Sequence, residues 1–214
     1  WLTPRASRKR RAGFWQKSTA PSRIARTAVS TSAYPVIITT GNRIPRRLIS
    51  SNNAMPPIPG PAYRIHTRRL VIRCWNPADA PLLTQALLES KEHLLTFMPG
   101  AADEPQDLQQ RSESLRRFRS RFDASQDFVY GVFNREETAV LGGTGLHTRV
   151  GEGVREIGYW IHKDHINQGL ATEISAALTK VAFEIDGVNR VEIHMDPRNL
   201  ASAAVPRKLG YMHE

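Results

Sequence analysis

The stretch Arg155 to Glu173, REIGYWIHKDHINQGLATE, constrains this chain more than any other. It reads as a strand, a tight glycine-containing loop and the first turn of a helix. The loop from His165 to Gly169 holds no acidic side chain. Such a junction aims unpaired backbone N–H groups, and the positive end of the helix dipole, at one point, which suits a phosphate. A second passage, VNRVEIHMDPRN and then LASAAVPRKLGY, repeats the strand-to-helix pattern. Two adjacent strands, each running into a helix, imply an α/β fold holding a phosphate-bearing cofactor.

The formal charge of +10 suggests a nucleic-acid binder until it is divided along the chain. Residues 1 to 54 carry 11 Lys and Arg and no acid, and the first acid is Asp79. The remaining 160 residues carry 19 basic and 20 acidic side chains, a net of −1. That near-neutral body is long enough for one domain with a sizeable core, so nucleic acid is not its expected partner. The lone cysteine, Cys74, excludes an intramolecular disulfide and fits a reducing, cytoplasmic setting. No apolar run approaches the ~20 residues that span a bilayer, so no membrane partner is expected.

The basic segment resembles a transit peptide in composition, or an arm for non-specific nucleic-acid contact. The chain opens on Trp1, and Met55 stands just ahead of the domain start. The expectation is therefore a disordered tail over residues 1–60, outside the native domain, because so polar and charged a segment buries too little to offset chain entropy. Its only strand-like run is Tyr34 to Thr40, YPVIITT.

The body opens with an alternating strand, Arg68 to Trp75. Asn76-Pro77 and Asp79 then read as a cap, a first helical residue and an acid in the first turn. Leu83, Leu87, Ser90 and Leu94 follow on one helical face. Asp103-Glu104-Pro105 reads as the start of a second helix, with Leu108, Leu115, Phe118 and Phe122 on its apolar side. Its other face, Arg111, Arg116, Arg117, Arg119 and Arg121, reads as solvated. Phe128 to Asn134 and Thr138 to Thr148 read as a hairpin. In the strand Arg155 to His162, Glu156, Gly158, Trp160 and His162 share a face. A helix is expected over about 170–184, a strand over 188–196 with Val191, Ile193 and Met195 on one face, and a helix over 199–209 that Pro206 shortens.

The ordered series REIGYWI, INQGLATE and VEIHMDPRNLASAAVPRKLGY resembles the GNAT superfamily of acetyl-CoA-dependent N-acetyltransferases. RRLVIRCWNPADA and SKEHLLTFMPG resemble the opening of its ribosomal-protein N-terminal acetyltransferase (Rim-type) branch. The resemblance covers residues 63–214. It implies a GNAT (acyl-CoA N-acyltransferase) fold, a mixed and mostly antiparallel sheet flanked by helices. The fourth and fifth strands would splay apart around the cofactor's pantetheine arm.

The family's cofactor loop, Gln/Arg-x-x-Gly-x-Gly/Ala, falls on Ile166-Asn167-Gln168-Gly169-Leu170-Ala171. Gly169 and Ala171 fit it and Ile166 departs from it. Asn167 tolerates a left-handed turn, and Thr172 could add a hydroxyl to the pyrophosphate. The resemblance further implies acetyl-CoA as cosubstrate and an amine acceptor, a protein N-terminus or a small molecule. It places Asn199 and Ser202 at the thiol end and a backbone N–H near Ile161 as oxyanion donor. Glu156 would be the base, or else a surface carboxylate paired with Arg155 or a neighbour. Ser202 would protonate the thiolate, or cap its helix. Asp164, His162 and His165 form too sparse a set for a metal, and none is expected. A non-catalytic acyl-CoA binder is the alternative. The pattern's last strand pair would be largely missing, since residues stop shortly after Gly210-Tyr211. The chain then reads as a C-terminally truncated fragment, weakly active or inactive, with an unpaired edge along Val188 to Asp196.

Overall fold

A computed structural model describes Val36–Thr40, as backbone, and residues 61–214. The sheet is built from β1 (Val36–Thr40), β2 (Arg64–His66), β3 (Leu70–Cys74), β4 (Phe128–Asn134), β5 (Val140–His147), β6 (Val154–Ile161), β7 (Arg190–Met195) and β8 (Met212–His213). Its order is β2-β3-β4-β5-β6-β7-β1-β8. Every neighbouring pair is antiparallel except β6 and β7.

Among the described residues four α-helices cover it: α1 (Ala80–Leu95), α2 (Leu108–Asp123), α3 (Leu170–Glu184) and α4 (Leu200–Lys208). Leu83, Leu87 and Leu94 of α1 and Leu115 of α2 pack with Val71, Val129, Phe133 and Trp160 on one face. On the other face Ile174 and Leu178 of α3, both fully buried, meet Ile72, Tyr130, Leu146, Ile157, Val191 and Ile193. Each such side chain contributes about 1.5–3 kcal/mol, so α3 is firmly anchored beneath the cofactor loop. Asn76 is the expected N-cap ahead of α1, and Asp79 returns a hydrogen bond to it to complete a capping box.

Two helix expectations need correction. The second helix does not open at Asp103-Glu104-Pro105: its N-cap is Asp107, whose carboxylate accepts the Gln110 N–H at 2.8 Å. Glu104 instead lies buried, paired with Arg111, which is itself only 3% exposed. Arg111 thus leaves the solvated face, and Leu108, in the first turn of α2, is 54% exposed rather than in the core.

The larger correction concerns the sheet edge. Val188 to Asp196 does not present an unpaired edge. β1 lies antiparallel to β7 over five registers, Val36↔Met195 to Thr40↔Val191, and β8 pairs with β1 in turn. The last strand positions are therefore filled, by a strand from ahead of the domain. The expectation that residues 1–60 stand wholly apart fails at Val36–Thr40; the remainder of that segment lies outside the described residues. Apolar Val36 to Ile38 and β-branched Thr39 and Thr40 suit such a strand.

Candidate active site

β6 and β7 pair at only three registers, Val154↔Arg190, Arg155↔Val191 and Glu156↔Glu192. Beyond Glu156, β6 runs on to Ile161 and β7 to Met195 with no rung between them. The sheet opens there as a wedge, with Glu156 and Glu192 at its apex. The wall of the wedge is polar backbone. His162 donates its N–H to Leu141 O at 2.9 Å, so those residues form a hydrogen-bonded pair with β5. Antiparallel pairs alternate, which leaves the neighbouring Gly142↔Ile161 pair without that bond. The Ile161 N–H therefore points away from β5 and into the opening, and the Tyr159 N–H does the same.

The loop at the mouth follows from two left-handed residues, Asn167 (φ 58°) and Gly169 (φ 77°). Gly169 is the N-cap of α3 and offers no side-chain cap. Glu173 N–H is the first to reach a helical carbonyl, that of Gly169 at 3.1 Å. The preceding N–H groups of Leu170, Ala171 and Thr172 remain for an anion, a cradle that fits a pyrophosphate. Leu170 is buried in the core, so only its backbone faces the loop. Gln168 turns its side chain back to Asp164 O at 3.1 Å. Ile166, at the position that departs from the family pattern, is 39% exposed.

Arg69 is a loop residue that sequence reasoning missed. Its Nη1 donates to Gln168 O at 2.9 Å and its Nε to Glu173 Oε2 at 2.7 Å. Thr67 Oγ1 and the Arg69 N–H also donate to Glu173. Burial would raise the Glu173 pKa, but these donors hold it below the ordinary range. A cation from the start of β3 thereby stands beside a loop that lacks one of its own.

Glu156 is 5% exposed and faces the α1 and α2 side of the opening. The alternative reading, a surface carboxylate paired with Arg155 or a neighbour, holds for the pairing but not for the surface position, and Arg155 itself turns to Asp186 at 3.1 Å. Arg149 takes both Glu156 oxygens, at 2.5 and 2.7 Å. Burial pushes the carboxyl up, yet the Arg149 hydrogen bonds and charge, with His194 and His147 nearby, bring it below its ordinary value.

Asn199 caps α4, its Oδ1 accepting the Ser202 N–H at 3.0 Å. Ser202 is not the cap. Its hydroxyl meets Tyr159 OH at 3.0 Å, and Tyr159 OH also reaches Ser202 O at 3.1 Å. The reason lies four residues on. Pro206 sits inside α4 and has no N–H for the Ser202 carbonyl, so the Tyr159 hydroxyl donates to it instead and accepts from the serine. Burial raises the Tyr159 pKa to about 12, against the Ser202 hydrogen bond. Tyr159→Phe should leave that carbonyl without a partner and cost about 1–3 kcal/mol in denaturant melts. Combining it with Pro206→Ala, which restores the helical donor, should recover part of the loss. Additive losses would show that Tyr159 and Pro206 are not linked.

His162 and Asp164 also have local partners. Among the described residues, Glu89, His162 and Asp164 place ligand atoms within 4.8 Å of one another. His162 Nδ1 accepts the Asp164 N–H at 3.3 Å, and Nε2 faces Glu89 Oε2 at 3.0 Å. Nδ1 folds the turn before the loop, and Nε2 ties that turn to α1. His165 contributes a ring contact to His162, 5.6 Å between centroids.

A sheet split between two parallel strands, with an uncapped helix start at its mouth, is the layout of a transferase that uses an acyl-CoA. Comparison with known proteins defines it further. The Acetyltransferase (GNAT) domain profile matches residues 69–212, so the chain belongs to the GNAT family of acetyl-CoA-dependent acyltransferases. "Putative ribosomal N-acetyltransferase YdaF" of Bacillus subtilis (strain 168) is 26% identical over 147 residues, 68% of this chain and 79% of that protein. Among solved structures, a "putative ribosomal-protein-serine acetyltransferase" from Vibrio cholerae superposes with a TM-score of 0.59 at 24% identity, covering 71% of this chain and 84% of that one. The ribosomal L7/L12 alpha-N-protein acetyltransferase RimL, in complex with coenzyme A, gives 0.57 at 21%, covering 67% and 80%. No helix among the described residues is long and apolar enough to cross a membrane.

Proposed function

We propose that this domain acetylates the α-amine of a protein N-terminus, with a ribosomal protein as the acceptor class. The observation that carries the reading is the coincidence, in one opening, of a phosphate cradle and a buried carboxylate facing the acceptor side. The names of the similar proteins support the acceptor class.

In this reading the N–H groups of Gly169 to Thr172, with Asn167 and Gln168 shaping the turn, hold the pyrophosphate. Arg69 steadies the loop by its bond to Gln168 O. Acetyl-CoA supplies the thioester. The Ile161 N–H donates to the carbonyl oxygen as negative charge develops there. Glu156 serves the amine's proton, directly or through a neighbour. Asn199 orders the first turn of α4, and Ser202, joined to Tyr159, stands ready to return a proton to the thiolate. The single cysteine, buried Cys74, suits a cytoplasmic setting.

The test is direct. The full chain is incubated with acetyl-CoA and synthetic peptides that begin as ribosomal proteins do, with free thiol and peptide mass as readouts. Acetylation confined to the peptide α-amine is the expected result. Thiol release only with small amines would move the acceptor class. Binding of acetyl-CoA with no turnover on any amine would favour a non-catalytic acyl-CoA binder.

A further inference from the structure

Glu156 and Glu192 are register partners at the last rung of the β6–β7 ladder, and they are 5% and 3% exposed. Two buried carboxylates so close cannot both stay ionised without compensation. The surrounding elements provide it. Arg149, between β5 and β6, holds Glu156, and Arg190, at the start of β7, pairs with Glu192. His147 on β5 is the register partner of Glu156, and its Nδ1 lies 2.9 Å from Asp127 Oδ1. β1 brings an uncharged residue, Ile37, opposite His194.

His194 stands between the two carboxylates. Its Nε2 is 2.6 Å from Glu192 Oε2, and its Nδ1 is 3.9 Å from Glu156 Oε2. The short contact makes Nε2–H the donor to Glu192 and leaves the lone pair on Nδ1. The longer separation exceeds a hydrogen bond and leaves a place for a donor between Nδ1 and Glu156. His194 lies two residues beyond the last rung, where β6 offers Gly158 and no side chain. Its side chain is 25% exposed while both carboxylates are buried. Guanidinium groups do not release protons here, and both carboxylates are held by them. His194 Nδ1 presents the lone pair that can take a proton between the two carboxylates.

We propose that His194 Nδ1 takes the proton of the attacking amine, with Glu156 and Glu192 as the carboxylates that hold the resulting imidazolium. The inference rests on the amine-acetylation reading above. The amine nitrogen bonds to the thioester carbonyl carbon and the carbon–sulfur bond breaks. The amine proton passes to Nδ1, and the departing thiolate takes a proton from Ser202 or solvent. Glu156 then acts through His194 rather than as the first acceptor.

The test has two arms on the full chain. Long-range proton–nitrogen NMR of the imidazole rings, with His194→Gln identifying the signal, should show the neutral ring protonated on Nε2 and bare on Nδ1. A neutral ring protonated on Nδ1 overturns the proposal. In kinetics with acetyl-CoA and α-amine peptides, His194→Gln should lose at least ~10-fold of the rate and alter the pH profile of kcat/KM, with its acetyl-CoA thermal shift intact. An unchanged pH profile overturns the proposal. If the wild type acetylates no peptide yet is still stabilised by acetyl-CoA, the acceptor reading fails by itself. The NMR arm then decides for His194: a bare Nδ1 supports it and a protonated Nδ1 sinks it.

Discussion

Replacing Gly169 by valine is expected to abolish acetyl-CoA binding while the domain still folds. Gly169 has φ 77° at the N-cap of α3, a conformation that a β-branched residue resists. The nearest atom to an added Cβ is Arg69 Nη2 at 3.8 Å, an ordinary contact, so the loss comes from backbone strain and from side-chain bulk over the cradle. For the wild type, acetyl-CoA at a hundredfold excess over its dissociation constant should stabilise by about 2.7 kcal/mol. The valine variant should show no such shift. Gly187→Val is the matched control: its φ is 64°, nothing crowds its Cβ, and it follows α3 rather than preceding it. Equal ligand shifts in the wild type and the Gly169 variant would remove the phosphate from this loop.

Glu156→Gln should lower turnover by ~10²-fold or more with acetyl-CoA affinity nearly unchanged. The amide keeps the shape but not the charge, so it can neither neutralise Arg149 nor hold a protonated neighbour. The same residue links stability to pH. Its folded pKa lies below the ordinary 4.5, so its contribution is complete above that value and is lost as pH falls through the depressed folded value. Acid melts of the wild type should thus lose stability in that range more steeply than those of the glutamine variant. Turnover that survives the substitution would show that deprotonation does not need the Glu156 charge and lies with another acceptor or with solvent.

The parts of the site that follow local rules were legible in the sequence. Strand alternation puts Glu156 on the face that carries Trp160, an asparagine heads α4, and glycine marks the turn into α3. The groups that tune those parts were not. Arg155 adjoins Glu156 in sequence, yet the turn between β5 and β6 brings Arg149, seven residues back, to the carboxylate while Arg155 goes to Asp186. The role of Tyr159 emerges only when Pro206 is seen to orphan the carbonyl it satisfies. Arg111 did carry a signal. It falls on the same helical stripe as Leu115, Phe118 and Phe122, where a charge is solvated only if the stripe is not the core. His194 alternates with buried Ile193 and Met195, yet its two carboxylate partners meet only because β6 and β7 run parallel.

The strand inserted between β7 and β8 also orders events in time. Val36–Thr40 must find partners more than 150 residues further along the chain. During synthesis it emerges first and can pair only after β7 has been made, so the hairpins from β2 to β6 form without it. Contacts of such long sequence separation are slow to close. The sheet's completion should therefore be the last step of folding and the first unit to open under native conditions, with backbone amide exchange at β1 fastest and that at β4 and β5 slowest.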